Sequence, residues 1–231
     1  LYLKRKEDYE EYLKIADGLK EAIQEHLYNC ENKLFRDSYG IDEYHQGTNV
    51  VAFHYGLVPA PAREQLLNWI VNQGLDTKTL LSLNLLKVLF ENGKQQEAYD
   101  LINRTDYPGW GHMVSKGYKT IWEGFDDKES HSHAWNGYPA KIFAEYLLGI
   151  SALEPGFKKI AIRPFIPKDL TWAEGSVWTV RGKVYVRWKK ELRQIKMQIQ
   201  SPTNTMAEMY IPKIGNGNMT IREGGQLLFN E

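Results

Sequence analysis

The first two-thirds of the chain carry apolar residues at the three- and four-residue spacing of amphipathic helices. This spacing predicts six helices, the first from residue 9 to an end around residues 29–33, and the others over residues 50–57, 64–71, 79–89, 95–102 and 134–148. Helix-ending residues agree with these limits, since Pro59 follows the second helix, Gly74 the third and Asn92-Gly93 the fourth. The helical pattern ends at Gly149.

Helices of this number, joined by loops that alternate between short and long, indicate antiparallel helix pairs. Such pairs occur in bundles, in solenoids and in α/α toroids. No sequence repeat of fixed period is present, which argues against a consensus solenoid. We predict a mainly helical part over residues 1–153, arranged as a partial α/α toroid.

The remainder of the chain follows a different, two-residue alternation that is typical of β-strands. Apolar and polar residues alternate over residues 184–188 and again over residues 195–199. The glycine-rich segments at residues 215–217 and 223–225 are typical of hairpin turns. We predict a small antiparallel β-sandwich of about seven strands over residues 154–231.

Composition excludes several classes of protein. Lys+Arg and Asp+Glu number 29 each, so the basic excess of a nucleic-acid-binding protein is missing. No apolar run approaches the roughly 20 residues that cross a bilayer, and we expect no membrane partner. Cys30 has no second cysteine to pair with, and its predicted helical setting indicates a small buried apolar residue.

The first residues have neither an initiator methionine nor a signal-peptide pattern, and they begin within or just before an amphipathic helix. We therefore expect the 231 residues to be an internal-to-C-terminal part of a longer protein. No compartment follows from the sequence.

Chemistry is concentrated in the segment of residues 107–135, where aromatic residues, histidines and carboxylates mix with glycine. Aromatic faces stack on the C–H surfaces of sugars, and carboxylates and imidazoles form hydrogen bonds with hydroxyl groups. The segment lies between two predicted helices. It therefore indicates a site that binds or cleaves carbohydrate.

Glu123 is the main catalytic candidate in this segment. It lies between Trp122 and Gly124, with Phe125 next along the chain. A carboxylate in such a partly apolar setting can be tuned for proton transfer. The alternative is an ordinary exposed loop carboxylate.

Three further polar residues are candidates for binding sugar hydroxyl groups. Asp126 is close enough in sequence to Glu123 to orient a water or a hydroxyl, although Asp126, Asp127 and Glu129 also suit the start of the next helix. His131 and His133 form an H-x-H pair without an evident third ligand, so we expect hydrogen bonds to sugar and no metal site. Nucleotide-binding and redox motifs are missing, and we expect no cofactor.

Tryptophans in and near this segment are either stacking platforms or core residues. Trp110 has glycine on both sides, as a platform exposed on a loop would. Trp135 leads into an apolar helix and is expected to be partly structural. Residues 44–46 form a second polar and aromatic cluster at a helix start, and we treat them as weaker candidates for the rim of the site.

Short motifs follow one another in a fixed order along most of the chain: GLVP at 56–59, GLDT at 74–77, YPGWG at 107–111, GYKTIWE at 117–123, SHSHA at 130–134, and GI at 149–150 with PGFKKI at 155–160. This order resembles the C-terminal part of bacterial α-L-rhamnosidases, an inverting glycoside hydrolase family built on an (α/α)6 barrel. Residues 1–49 share only the helical pattern.

The resemblance implies specific roles for these residues. Glu123 corresponds to the general base that activates the attacking water, and His133 to a sugar-binding histidine. Trp110 and Trp122 would line the pocket, and the substrate would be a rhamnose-containing glycoside. His131-Ser132 departs from the pair usual in the family, so contacts in that subsite would differ.

The general acid of the family belongs to an upstream motif that has no counterpart in these 231 residues. An inverting glycosidase needs two carboxyl groups about 6.5–9.5 Å apart, and this chain would supply only the base. We therefore expect the chain alone to be inactive. We also expect its exposed helix faces to pair with the missing N-terminal part of the protein or with a second copy.

Other functions remain open at this stage. The chain can belong to an α/α-toroid glycosidase that acts on another sugar, or to a carbohydrate-binding protein that has lost its acid. A structural helical domain with a β-sandwich cap is a further alternative, but it does not account for the polar and aromatic residues at 107–135.

Overall fold

The computed structural model describes residues 4–117, 119–126, 128–192, 194–213, 215 and 218–230. The chain forms two compact units, Leu1–Tyr138 and Pro139–Glu231. The α-helices within the described residues are α1 (Lys6–Leu27), α2 (Gln46–His54), α3 (Arg63–Asn72), α4 (Ser82–Glu91), α5 (Gln95–Asn103), α6 (Trp110–Ser115) and α7 (Tyr138–Ile142).

Helix α4 is the centre of the helical unit, because it contacts both α2 and α5, and α2 in turn contacts α3. Leu85, Leu86 and Leu89 of α4 are buried with Leu66 and Ile70 of α3, as their spacing predicts. The predicted helical character of the first part of the chain is confirmed. None of the helices in the described residues is both long enough and apolar enough to cross a bilayer.

The single helix predicted over residues 134–148 is wrong. The structure has a 3-10 turn at Ala134–Asn136, then α7, then a π-helical turn at Phe143–Leu147. Pro139 explains the interruption, because proline lacks an N–H group and fits the first turn of a helix but not its interior. Helix α6 was also not predicted as a helix, since its glycine-rich surroundings are typical of a loop.

Helix α1 ends before Cys30, and the expected burial of this cysteine is wrong. Cys30 is exposed in the turn between β1 (Tyr28–Asn29) and β2 (Leu34–Phe35). The Asn29 side-chain oxygen accepts a hydrogen bond from the Glu31 N–H at 2.9 Å. Such side-chain bonds to nearby backbone favour a turn over a helix.

Helix α1 has no buried residue along its 22 positions. Apolar side chains are nevertheless exposed on it, namely Tyr9, Tyr12, Leu13, Ile15 and Leu19. Exposed apolar surface of this kind is typical of a surface that meets another part of a protein.

Strands of the second unit form three small sheets. The strands are β3 (Ile150–Ala152), β4 (Lys159–Ile162), β5 (Trp172–Thr179), β6 (Gly182–Glu191), β7 (Gln194–Gln200), β8 (Met206–Met209), β9 (Thr220–Glu223) and β10 (Gln226–Asn230). The sheets have the orders β3-β4-β8, β5-β6-β7 and β9-β10. All pairs are antiparallel except β4 with β8, which is parallel. Parallel neighbouring strands need a long connection along the chain. Here the connection from β4 to β8 contains all three strands of the β5-β6-β7 sheet.

The two three-stranded sheets share one apolar core. Trp188 of β6 is fully buried there with Val184 and Val186, and Ile160 and Ile162 of β4 belong to the same cluster. The Trp188 indole N–H donates to the Leu147 carbonyl at 2.7 Å. The alternation predicted for residues 184–188 therefore places its apolar members in the core.

The sequence also predicted two hairpin turns in this unit and a domain boundary before it. Gly224 and Gly225 have positive φ angles between β9 and β10, which confirms the second hairpin turn. Asn216 and Gly217 of the first predicted turn lie outside the described residues. The compact units divide after Tyr138, and a domain boundary between residues 153 and 154 stays a prediction.

Gly149 occupies a position that excludes any side chain. Its φ angle is +74°, and an added Cβ would lie 2.2 Å from the backbone carbon of Arg163. We expect Gly149→Ala to lower the melting temperature strongly, because a left-handed conformation costs about 1–2 kcal/mol and a backbone clash adds to that cost.

Gly224→Ala is the matched control for this substitution. Gly224 also has a positive φ, +55°, but no atom lies within 4 Å of an added Cβ. Thermal unfolding of the two variants should therefore differ. Equal losses of melting temperature would contradict the clash at Gly149.

Candidate active site

Glu123 lies on a loop whose two limbs run beside each other. The Glu123 N–H donates to the Ser130 carbonyl at 2.7 Å, and the His133 N–H donates to the Ile121 carbonyl at 2.7 Å. These two hydrogen bonds join the limb before residue 124 to the limb after residue 129. They bring Glu123 and His133 next to each other although ten residues separate them.

The two side chains face each other at the surface of the helical unit. Nδ1 of His133 lies 3.5 Å from Oε2 of Glu123, and the side chains are 35% and 32% exposed. The His133 ring also packs against the Trp135 indole, with ring centroids 4.2 Å apart. The carboxylate is thus held between protein groups on one side and remains accessible to water on the other.

Trp110 and Trp122 are core residues of this unit. They are 9% and 1% exposed, so neither indole offers a ring face to a sugar. Trp110 packs edge-on against Phe125 with centroids 5.1 Å apart. The expectation that both indoles line a pocket is not supported by their burial, because α6 turns Trp110 inward and the loop covers Trp122.

The histidines of the H-x-H pair rest on different indoles. The His131 ring stacks on Trp122, with centroids 4.8 Å apart and planes at 20°, whereas His133 packs on Trp135. Within the described part of the chain, no group of three or more histidine, cysteine or acidic residues is arranged to hold a metal ion. Both histidines are half-buried.

Asp126 lies beyond Gly124 on the same loop, half-buried, and its carboxylate accepts a hydrogen bond from the Lys128 N–H at 3.4 Å. A Cβ added to Gly124 would lie 2.8 Å from Oε2 of Glu129 and 3.6 Å from Oδ1 of Asp126. Glycine at this position therefore lets two further carboxylates come close to the backbone beside Glu123. Asp127 lies outside the described residues.

Trp135, together with two residues that the sequence did not single out, Thr79 and Asn136, holds the backbone of this loop. The Thr79 hydroxyl donates to the Glu123 carbonyl at 2.5 Å, and the Trp135 indole N–H donates to the same carbonyl at 3.0 Å. The Asn136 side-chain amide donates to the Trp122 carbonyl at 3.1 Å. Thr79 and Asn136 are buried polar side chains, and such groups need hydrogen-bond partners.

The cluster at residues 44–46 has a structural role in this unit. The Gln46 side chain is buried and donates to the carbonyls of Ile70 and Gly74, both at 2.8 Å. Its oxygen accepts from the Asp76 N–H at 2.8 Å. Gln46 therefore connects α2 to the end of α3 by hydrogen bonds. Its burial does not support the expected position at the rim of the site.

His45 and Thr48 both bind the carboxylate of Asp37. The Thr48 hydroxyl donates to it at 2.5 Å, and Nδ1 of His45 forms an ion pair with it. Burial raises the pKa of Asp37, but the hydrogen bonds from Thr48 and His45 together outweigh burial and hold the pKa below its usual value. The hydrogen bond that His45 donates to Asp37, followed by the charge of Asp37, raises the pKa of His45.

Comparison with known proteins identifies the class of the helical unit. The sequence profile of the bacterial alpha-L-rhamnosidase 6 hairpin glycosidase domain matches residues 1–147, and that of the bacterial alpha-L-rhamnosidase C-terminal domain matches residues 149–226. The helical part thus belongs to a six-hairpin glycosidase domain. The chain belongs to the bacterial alpha-L-rhamnosidase family.

Individual relatives agree with this membership. An alpha-L-rhamnosidase of Streptomyces avermitilis is 25% identical over 87% of this chain, and one of Formosa agariphila is 30% identical over 74%. The alpha-L-rhamnosidase structure from Dictyoglumus thermophilum superposes on this chain with a TM-score of 0.86 at 26% identity. The superposed region covers 98% of this chain and 26% of the Dictyoglumus thermophilum chain. The Streptomyces avermitilis structure, complexed with L-rhamnose, has a TM-score of 0.80 at 22% identity and shares the fold. The chain spans about a fifth of the length of the curated relatives, 20% of each.

The contact between His45 and Asp37 predicts a measurable titration. Because the folded pKa of His45 is raised, its stabilising contribution is present below the unfolded pKa, about 6.5, and is lost as pH rises through the folded pKa. An NMR titration should place the His45 midpoint above its ordinary value. In Asp37→Asn the midpoint should fall, and an unchanged midpoint would contradict the pairing.

Proposed function

We propose that this chain supplies the catalytic base and part of the sugar-binding surface of an inverting α-L-rhamnosidase. The observation that carries the proposal is the Glu123 carboxylate, one-third exposed and facing the His133 imidazole at 3.5 Å on a loop with a fixed backbone. The family membership and the L-rhamnose complex of a relative support a rhamnose-containing glycoside as the substrate.

In this reaction a water attacks the anomeric carbon from the face opposite the leaving group. One carboxylate oxygen of Glu123 takes the proton of the water while the bond from the water oxygen to the anomeric carbon forms. The glycosidic bond breaks, and a general acid gives its proton to the leaving oxygen. We place that acid in sequence outside these 231 residues, since the chain spans only a fifth of its relatives.

The residues around Glu123 have different parts in substrate binding. The half-buried imidazoles of His131 and His133 can donate to sugar hydroxyl groups, and the half-buried Asp126 carboxylate can accept from them. His133 additionally orients the base. Trp110 and Trp122, being buried, act beneath these groups and support their positions without touching the sugar.

The partner of the exposed face of α1 follows from the same proposal. Tyr12, Leu13, Ile15 and Leu19 are exposed on α1, and a helical barrel closes by packing such faces together. We propose that the remaining helices of the barrel cover this face. A second copy of the chain would cover it only when those helices are missing.

Replacing the proposed base tests the function directly. In the full-length protein, Glu123→Gln keeps the side-chain shape but removes proton acceptance. We expect kcat on p-nitrophenyl α-L-rhamnoside to fall by about 10³-fold or more, with KM little changed. NMR of the first product formed by the unmodified protein should show inverted anomeric configuration.

Glu129→Gln is the control, because this exposed carboxylate is on the same loop and has no assigned role. It should keep most of the activity. A Glu123→Gln enzyme with nearly full kcat would refute the base assignment. A parent protein that binds rhamnosides without cleaving them would favour a carbohydrate-binding protein.

The purified 231-residue chain should bring about no hydrolysis of the same substrate, because the proposal places the acid elsewhere. It should also self-associate through α1, which light scattering after size-exclusion chromatography can measure. Leu13→Glu with Leu19→Glu should shift the chain towards monomer, since charges on an apolar contact face oppose burial. Hydrolysis by the isolated chain would overturn the assignment of the acid to other sequence.

A further inference from the structure

Two successive peptide carbonyls, those of Trp122 and Glu123, are held by side chains from elsewhere in the helical unit. Thr79 and Trp135 both donate to the Glu123 carbonyl, at 2.5 and 3.0 Å, and Asn136 donates to the Trp122 carbonyl at 3.1 Å. Loop carbonyls usually find water or nearby backbone instead. Three donors on two adjacent peptide groups indicate that the position of this dipeptide matters.

Two of the three donors, Thr79 and Asn136, are themselves hydrogen-bonded to residues at the starts of helices. The Thr79 carbonyl accepts from the Ser82 hydroxyl at 2.7 Å in the first turn of α4, the central helix of the unit. The Asn136 carbonyl accepts from the Trp110 indole at 2.9 Å, at the start of α6. Buried hydrogen bonds therefore connect the residues that hold the loop to the starts of helices α4 and α6.

Trp135 contacts both Glu123 and His133. Its indole N–H binds the carbonyl of Glu123, and its ring packs against the imidazole of His133. Movement of this indole would displace both members of the Glu123–His133 pair together. The contact distance of 3.5 Å between Glu123 and His133 thus depends on the position of the Trp135 indole.

Thr79 is the most informative of the three residues. It is 5% exposed, and its hydroxyl bonds the backbone of a residue 44 positions away. Fixing a peptide carbonyl fixes the direction of the attached Cα–Cβ bond, and so the reach of the Glu123 carboxylate. Misplacement of a catalytic group by about 1 Å can cost about 10²-fold in rate.

We infer that Thr79 is a positioning residue for the base Glu123, with Trp135 and Asn136 completing the same support. The inference rests on the proposed function of Glu123. Thr79 does not touch the substrate and acts through the Glu123 carbonyl. Its hydroxyl sets the geometry of proton transfer and leaves sugar binding unaffected.

The test uses Thr79→Val and Thr79→Ser in the full-length protein, with p-nitrophenyl α-L-rhamnoside as the probe. Thr79→Val should lower kcat about 10- to 100-fold with KM within about threefold, because only the placement of the base is changed. Thr79→Ser keeps the hydroxyl and should keep kcat near that of the parent.

Thr77→Val is the matched control. Thr77 is also 5% exposed and lies two residues away, but its hydroxyl donates to the adjacent Lys78 carbonyl at 3.1 Å. It should lose stability similarly while kcat stays unchanged. If Thr77→Val and Thr79→Val lower kcat equally, Thr79 has only a structural role.

A double-mutant cycle separates this inference from the proposed function. In the Glu123→Gln background, Thr79→Val should lower kcat no further, because the group that it positions no longer accepts a proton. Additive losses would refute the positioning role. Full activity of Glu123→Gln would refute the base assignment, whereas an inactive Glu123→Gln with a fully active Thr79→Val would refute the positioning role alone.

Discussion

The candidate active site depends on how an irregular loop satisfies its peptide groups. The described residues of the loop, 121–126 and 128–136, lack the hydrogen-bond ladder of a long helix or sheet, and a buried carbonyl without a donor costs stability. Side-chain donors from Thr79, Trp135 and Asn136 meet that requirement. The Glu123 carboxylate is one-third exposed, but hydrogen bonds from these three side chains fix the position of the backbone that carries it.

Apolar residues and their spacing predicted helices at the positions of α1 to α5, although α2 begins at Gln46 and ends at His54, earlier than the predicted range of residues 50–57. The spacing did not predict α6 or the break before α7, since six residues among glycines give no period and Pro139 acts within one turn. The burial of Cys30 was wrong because Asn29 forms a turn. In the β unit the alternation predicted the core face of β6, but no local pattern distinguishes the parallel pair of β4 and β8.

For the site, residue types and motif order directed attention to Glu123 and His133, and the loop hydrogen bonds place them together. The burial of Trp110 and Trp122 could not be predicted, because a loop tryptophan has the same sequence signature whether it faces water or the core. Thr79 could not be found from local sequence, since its partner is 44 residues distant. Spacing along the chain carries little information about such a contact.

The parallel pairing of β4 with β8 also bears on how the second unit assembles. Ile160 lies opposite Ala207, so the strands between them must be present before this sheet can close. Pairing strands that are so far apart in sequence slows folding. Until β8 pairs with β4, the open edge of β4 is a template for pairing with another chain. Chains that end after β7 would keep that edge permanently and would be prone to aggregation through it.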